Sequence, residues 1–441
     1  MEKTDAPLVS IVMPSLNVGH YIRECLTSVQ RQTLDDIEII SVDAGSDDGT
    51  REIIAEGAKS DKRIRCLDSP CKSYGMQVNI GIRAAIGRYI AILDTDDYVP
   101  DDMYEKLTES AEAMQADFVK ADFYRFVGEG ASRSFARVRL AAELQLEKLY
   151  GKLLDAKRTP EIFRMRMNTW SGIYRRDYLI HYGIWHNESP GAAYQDNGFW
   201  FQTLMHARRA CFLPEAYYCN RRDNAASSVY RRDQAESILQ EFRYIHAKIQ
   251  EHTGCERFLP QFGYALYQGV KGMLQRVAGT EAEKTFLCKA SLELQRYARQ
   301  GAFLADMFLP TEWEQLQQMI RSPSELFNMR ENARKELQHW MEAVGAIMLY
   351  GAGIIGRQIL RELLGLEAGD RVEGFVVTGK EENLSSIDGY PVYAVGDIPE
   401  QLKICGIIIA VTPKYQDAIK ENLRRYQVPE QHIYMVPACL T

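Results

Sequence analysis

The stretch AILDTDDYVP, residues 91–100, sets three carboxylates, Asp94, Asp96 and Asp97, directly behind a short apolar run. Carboxylates grouped at a strand end can hold Mg²⁺ or Mn²⁺, hard cations that take oxygen ligands and share them with substrate phosphates. Buried together without a cation they would repel one another, and their pKa values would rise. From the triplet alone a plainer reading stands beside this one. Asp97 orders the turn into the helix of PDDMYEKL, with Asp101 as its N-cap. Two more carboxylates stand apart: Asp43, closing IEIISVD, and Asp196, between large aromatics in YQDNGFWF. Each has an ordinary alternative. Asp43 can cap the loop AGSDDGT, which Asp47 and Asp48 also serve. Asp196 can be a first-turn acid on an apolar helix.

The elements that must position these groups are legible over the first hundred residues. LVSIVM stops at Pro14; YIRECLTSVQRQ has Ile22, Leu26 and Val29 on one helical face. IEIISVD, RIRCLDS and RYIAILD read as further strands, with helices from about Thr50 and over GMQVNIGIRAAIG. This alternation predicts an α/β, parallel, doubly wound sheet. Such sheets bind ligands beyond the carboxyl ends of their strands. Ser15, Asn17, Asp43 and Asp94 to Asp97 gather there. Residues 101–230 are mixed in pattern and 231–342 nearly all helical. AIMLYGAGIIGRQILRELLG then opens a second, small α/β region. The expected domains are 1–230, 231–342 and 343–441.

Composition bounds the function. The chain has 441 residues, 46% hydrophobic and 26% charged, enough for two or three domains. A net charge of −7 without a basic segment argues against nucleic acid as a partner. The nine cysteines are scattered without a C-x-x-C pair, which reads as reduced thiols of a cytoplasmic protein. MEKTDAPLVS lacks the apolar core of a signal peptide, and no apolar run approaches the roughly 18 residues of a membrane helix. Peripheral membrane contact is left open.

VSIVMPSLNVGHYIRECLTSVQRQTLDDIEIISVDAGSDDGT resembles the N-terminus of family 2 glycosyltransferases, which have the GT-A fold. YGMQVNIGIRAAIGRYIAILDTDD resembles that family's next block, which ends in its D-x-D motif. YQDNGFWF is similar to its E-D-x-x-F block, and YYCNRRDNAASS to the Y-x-x-R…S segment after it. Four blocks stand in the family's order across about 230 residues.

The resemblance implies an inverting, metal-dependent transferase that uses a nucleotide-sugar donor. Asp96 matches the ligand of Mn²⁺ or Mg²⁺, with Asp94 or Asp97 assisting at metal or ribose. Pro14, Ser15 and Asn17 match the first nucleotide-binding loop, and Asp43 the acid on base or ribose. Asp196 matches the general base. The sequence departs from the family at Gln195, where a Glu is usual, and at Val78, where Arg is frequent. Arg221 and Arg222 offer compensating positive charge; Trp170 and His186 are candidates for the acceptor cleft, though single residues of these types more often pack.

In the carboxyl-terminal region, Gly351, Gly353 and Gly356 of GAGIIG follow a strand and open a helix, the context of a dinucleotide fingerprint. The next strand, VEGFVVTG, ends at Thr378 and Gly379 without the acid that would bind a ribose; Glu381 and Glu382 lie slightly later. The pattern resembles Rossmann-like domains that accompany polysaccharide-synthesis enzymes. A nucleotide-binding or architectural role ranks above NAD(P) redox chemistry.

The combined expectation is a transferase moving a sugar, from a UDP-sugar, to a glycan or lipid-linked acceptor in bacterial surface polysaccharide synthesis. The helical segment is free to shape the acceptor site, pair two subunits as a homodimer, or touch a membrane. Two rivals are a non-catalytic sugar-nucleotide-binding scaffold and a bifunctional enzyme with an NAD(P)-dependent C-terminal domain.

Overall fold

A computed structural model describes residues 6–141, 144–226, 235–379 and 385–440. Packing divides the chain into two compact units. One comprises Met1–Phe126, Arg137–Arg231 and Gln240–Phe258; the other Val127–Ala136, Arg232–Leu239 and Leu259–Thr441.

The first unit is built on a mixed sheet. Its strands are β1 (Val9–Ser15), β2 (Ile37–Asp43), β3 (Ile64–Asp68), β4 (Tyr89–Ile92), β5 (Phe118–Val127), β6 (Ser134–Val138), β7 (Gly172–Arg175) and β8 (Ala210–Arg221). Their order is β3-β2-β1-β4-β7-β5-β6, with β8 pairing β5. Pairing is parallel from β3 through β4, as the strand–helix alternation predicts, but β7 runs antiparallel to both β4 and β5. The parallel order ends there because β7 follows a long irregular excursion instead of a crossover helix. All seven residues of β1 and of β2 are buried, which is why apolar residues dominate both; among the buried exceptions, Ser10 and Glu38 bond to each other.

Helices α1 (Ile22–Gln30), α2 (Thr50–Ser60), α3 (Tyr74–Ala84), α4 (Met103–Met114), α5 (Arg176–Tyr182) and α6 (Gln195–His206) complete this unit, with most of α7 (Ala235–Glu251). α1 buries Ile22, Leu26 and Val29 together, the face its periodicity predicts. α6 is buried nearly all round: Trp200 meets Phe118 and Phe212, and Phe201 meets Phe163.

The second unit joins α8 (Leu259–Arg276), α9 (Ala282–Ala298), α10 (Pro310–Arg321) and α11 (Pro323–Glu342) to a six-stranded sheet. That sheet contains β9 (Ile347–Tyr350), β10 (Val372–Val377), β11 (Ser386–Ile387), β12 (Tyr390–Ala394), β13 (Gly406–Ile409) and β14 (Ile433–Met435), in the order β11-β12-β10-β9-β13-β14. Between the strands lie α12 (Ile354–Gly365), α13 (Pro399–Ile404) and α14 (Pro413–Arg425). Ala333, Leu337 and Met341 of α11 share one core with Leu349, Phe375 and Ile408 of the sheet. No described helix is long and apolar enough to cross a membrane, and all nine cysteines are free thiols.

Candidate active site

The strands β1 and β4 pair only as far as Val12 and Ile92. Beyond that point the chains separate, and the sheet's carboxyl rim opens. Pro14, which has no N–H to give a ladder, accepts Thr95 Oγ1 on its carbonyl at 2.8 Å. That bond anchors the Asp94–Asp97 turn, which closes through Asp97 N–H to the Asp94 carbonyl at 3.1 Å.

The three carboxylates of the turn differ in their partners. Asp97 is 2% exposed and saturated. Its Oδ2 accepts Tyr218 Oη at 2.8 Å and Asn220 Nδ2 at 3.0 Å, and its Oδ1 accepts Arg221 N–H at 2.6 Å. Asp94 accepts Tyr74 Oη on Oδ1 at 2.9 Å, and Asp96 accepts Asn224 Nδ2 on Oδ2 at 2.8 Å. Among the described residues no donor reaches the second oxygen of either. Burial raises the Asp94 carboxyl to about 7; the charges of Asp96 and Asp196 add to the rise, and Tyr74 opposes it. Burial likewise raises Asp97, with Asp96 and Asp94 adding. Asp101, expected to cap α4, instead pairs with Arg31 at 2.7 Å, and the N-cap position falls to Asp102.

These features test whether a divalent cation fits. No cage of three or more His, Cys, Asp or Glu side chains is preassembled among the described residues. Two free oxygens on mutually repelling carboxylates are nonetheless what Mg²⁺ or Mn²⁺ uses when substrate phosphates complete its shell. The residues fit such an ion through Asp94 and Asp96.

On the β1–β2 side, Asp43 organises a loop. Its Oδ1 accepts the N–H groups of Gly45 and Ser46, each at 2.9 Å, and Arg51 Nη1 at 3.2 Å. Its Oδ2 accepts Ser46 Oγ at 2.5 Å and Ser15 Oγ at 3.3 Å. Asn17, at φ +52°, gives its N–H to Ser46 Oγ and takes Asp47 N–H on its own Oδ1. Asn tolerates this left-handed conformation better than most residues. Gln77 of α3 donates to the carbonyls of Ser15 and Val42 and so ties both strand ends. Beside Asp43 lies a cavity of about 270 Å³, lined among others by Ser41, Arg51, Cys66 and Asp68.

Asp196 arrives on α6, whose buried aromatic faces fix the helix. The preceding Tyr194 is held at φ +68°, uncommon for a bulky residue. Gln195 explains itself here. Its amide nitrogen donates to Ser189 and to the Gly191 carbonyl while its oxygen accepts Ala193 N–H, a pattern that the acceptor-only Glu carboxylate cannot make. The same loop joins α3 through Tyr74 N–H to the Gly191 carbonyl at 2.9 Å. Tyr74 thus bonds to Asp94 while its phenol, raised chiefly by burial, also feels the charges of Asp94 and Asp196. The turn of Asp94–Asp97 and Asp196 are brought within electrostatic reach of one another.

Other expected residues take different parts. The Arg221 guanidinium is sandwiched between the Tyr21 and Phe126 rings, pairs with Glu24 at 2.7 Å and donates to the Asp96 carbonyl at 3.0 Å. It braces the acidic turn and is not presented to a ligand. Val78 is fully buried in α3. Trp170 stacks on Tyr218 at 4.3 Å, and buried His186 stacks on Phe199 at 4.3 Å. Burial lowers the His186 imidazole to about 3, so it is neutral.

Sequence reasoning missed Tyr74, Tyr218, Asn220 and Asn224. Tyr218 and Asn220 carried a signal: two residues apart on a strand, they share a face, and that face meets Asp97.

In the second unit, Gly351 has φ +124°, and a Cβ there would lie 2.5 Å from the Ala410 carbonyl oxygen. A Cβ on Gly356 would lie 1.8 Å from the Gly351 carbonyl oxygen, whereas Gly353 faces open space. At the end of β10, Thr378 Oγ1 bonds to Tyr350 Oη at 3.1 Å. Glu381 and Glu382 lie outside the described residues.

The sequence matches the model of Glycosyl transferase family 2 over residues 10–182. It is 39% identical over 120 residues to glycosyltransferase GlyG of Streptococcus pneumoniae, covering 27% of this chain and 40% of that one. S. aureus TarS 1–349, solved in complex with UDP-GlcNAc, superposes with a TM-score of 0.44 at 19% identity, over 73% of this chain and 92% of that one. Uncharacterized glycosyltransferase EpsJ of Bacillus subtilis is 34% identical over 251 residues, 56% of this chain and 71% of its own length. With the rim carboxylates in that matched block, the chain belongs to glycosyltransferase family 2.

Proposed function

We propose that the protein transfers a sugar from a nucleotide-sugar donor, a UDP-sugar, to a hydroxyl of a glycan or lipid-linked acceptor in bacterial surface polysaccharide synthesis, with inversion at the anomeric carbon. One observation carries this reading: Asp94 and Asp96 keep free carboxylate oxygens at the sheet rim, and Asp94 lies within the electrostatic reach of Asp196. A bound Mn²⁺ or Mg²⁺ supplies Lewis-acid stabilisation of the departing diphosphate.

The chain's own groups divide the remaining work. Asp96 and Asp94 hold the cation and diphosphate side, while Asp97, engaged by Tyr218, Asn220 and Arg221, fixes the shape of the turn. Asp43 and the cavity beside it receive the base and ribose, with Pro14, Ser15 and Asn17 forming the neighbouring loop. The acceptor oxygen attacks the anomeric carbon as the bond to the diphosphate oxygen breaks, and the acceptor's proton passes to the Asp196 carboxylate.

For the second unit, the order β12-β10-β9-β13-β14 and the loop of Gly351, Gly353 and Gly356 support a Rossmann-like module that binds a nucleotide or serves as architecture.

The test is a thermal-shift and titration panel of UDP-sugars with Mn²⁺ on the wild type, Asp96→Ala and Asp196→Asn. Asp96→Ala is expected to lose Mn²⁺-dependent donor binding. Asp196→Asn is expected to keep it and lose transfer. Transfer retained by Asp196→Asn sinks the assignment of the base, and no donor response in the wild type favours a non-catalytic scaffold.

A further inference from the structure

Glu241 of α7 is 1% exposed, and the transfer just described gives it no part. Both of its carboxylate oxygens are nonetheless aimed. Oε1 accepts Gly198 N–H and Oε2 accepts Asn187 Nδ2, each at 2.9 Å. Gly198 lies two residues after Asp196 on the same helix. Asn197 N–H donates to the Tyr194 carbonyl at 2.9 Å, and the Gly198 N–H goes across to α7. A Cβ at position 198 would stand 2.2 Å from Glu241 Oε1 and 2.9 Å from the Tyr244 ring, so the glycine is what admits α7 to this turn.

The arrangement is costly unless it serves something, because a buried carboxyl disfavours its own ionisation. Burial raises Glu241 to about 8; the Asn187 and Gly198 hydrogen bonds oppose the rise, and the charge of Asp196 adds to it. Facing Glu241 are Asp196 and Gly198 from α6, the neutral Asn187 amide, and the Tyr244 phenol of its own helix. On the other side of the turn stands Gln195, an amide that brings no charge.

We propose that Glu241 is a positioning residue for Asp196: from α7 it clamps the first turn of α6 and supplies the acidic neighbour that Gln195 withholds. The proposal rests on Asp196 being the base. Without the clamp the turn loses an acceptor on one side and keeps only the Gln195 loop on the other, and a carboxylate misplaced by about 1 Å loses on the order of 100-fold in rate. With it, the acceptor's proton moves to a carboxylate held between two buried partners.

The experiment compares full-length wild type, Glu241→Ala, Glu241→Gln and Asp196→Asn for Mn²⁺-dependent UDP release. The donor is whichever of UDP-glucose, UDP-galactose, UDP-GlcNAc and UDP-GalNAc gives the largest thermal shift. Glu241→Ala is expected to lower kcat on the order of 10- to 100-fold while the donor KM stays within about twofold. Glu241→Gln keeps an acceptor for Gly198 and is expected to recover much of that loss. Above about pH 8 an ionised Glu241 makes Asp196 hold a proton more tightly, so wild-type kcat rises through that pH and the Gln variant lacks the step. If Glu241→Ala does not fold, the Gln profile decides. Kcat unchanged in the Ala variant, or a Gln profile superimposable on the wild type's, overturns the proposal. Asp196→Asn separates the two failures: full activity there removes the base assignment and this inference together, whereas an inactive Asn variant beside an unaltered Glu241→Ala removes this inference alone.

Discussion

Each unit of the molecule buries a cluster of charge, and the two clusters are built on opposite terms. In the second unit, Glu283 of α9 and Glu362 of α12 face Arg330 and Arg334 of α11; Arg334 meets Glu362 at 2.6 Å, and Arg330 pairs with Glu283. All four side chains are at most 6% exposed, and the set is neutral. In the first unit, Asp94, Asp96 and Asp97 crowd one turn, Asp196 and Glu241 lie near, and the Arg221 guanidinium pairs with Glu24 and reaches only the carbonyl of Asp96. A balanced buried network holds helices in register and asks for no ligand. An unbalanced one stores repulsion that a cation or a transferred proton can relieve, so strongly raised carboxyls in a cleft mark a site.

Substitutions can break this contrast, and the largest effect is expected at the unbalanced pole. Asp94→Asn keeps an acceptor for Tyr74 and removes a repelling charge. It is expected to raise the thermal midpoint of the ligand-free protein while lowering Mn²⁺-dependent transfer by about 100-fold or more. At the balanced pole, Arg334→Ala leaves the buried Glu283 and Glu362 to share the single guanidinium of Arg330. Denaturant titration is expected to show a loss of about 3–5 kcal/mol, with donor affinity per folded molecule unchanged. A loss of stability in Asp94→Asn, or a gain in Arg334→Ala, would erase the distinction.

Two smaller effects sharpen it. Tyr218→Phe leaves Asp97 with one donor fewer and is expected to cost about 1–2 kcal/mol, read by thermal denaturation. Glu241 gives a dependence on pH. Its folded value of about 8 lies above the ordinary Glu value of 4.5, so the stability it contributes is complete below about 4.5 and is lost as pH rises through about 8. Glu241→Gln therefore gains on the wild type as pH rises from about 4.5 to about 8 in melting experiments, and the gap stays constant above that.

What the sequence disclosed follows from what is local. β1, β2 and β4 were legible because strands buried on both faces are dominated by apolar residues, and the rim residues stand where those stretches stop. The acidic turn was visible for the same reason. Its internal division was not, since the donors to Asp97 come from Tyr218, Asn220 and Arg221, more than 120 positions away. Tyr74 was hidden in another way. It opens an ordinary helix, and contacts distant in sequence, its N–H to the Gly191 carbonyl and Gly191 N–H to the Lys72 carbonyl, make this helix start abut the loop before Asp196. Arg221 illustrates the reverse case: a cation in the right block of sequence, claimed by two rings and Glu24.

The clamp at Gly198 also has a place in the order of synthesis. The chain of the donor side, from β1 to the acidic turn, has left the ribosome once residue 97 has, whereas the groups that fix that turn, Tyr218, Asn220, Arg221 and Asn224, come more than 120 residues later. The clamp on Asp196 waits for Glu241, 144 residues later by the numbering. At 5–20 residues per second that is on the order of ten seconds. The strands that carry the donor side are therefore made first, and the groups that fix its turn and clamp the base are made last and within about 25 residues of one another.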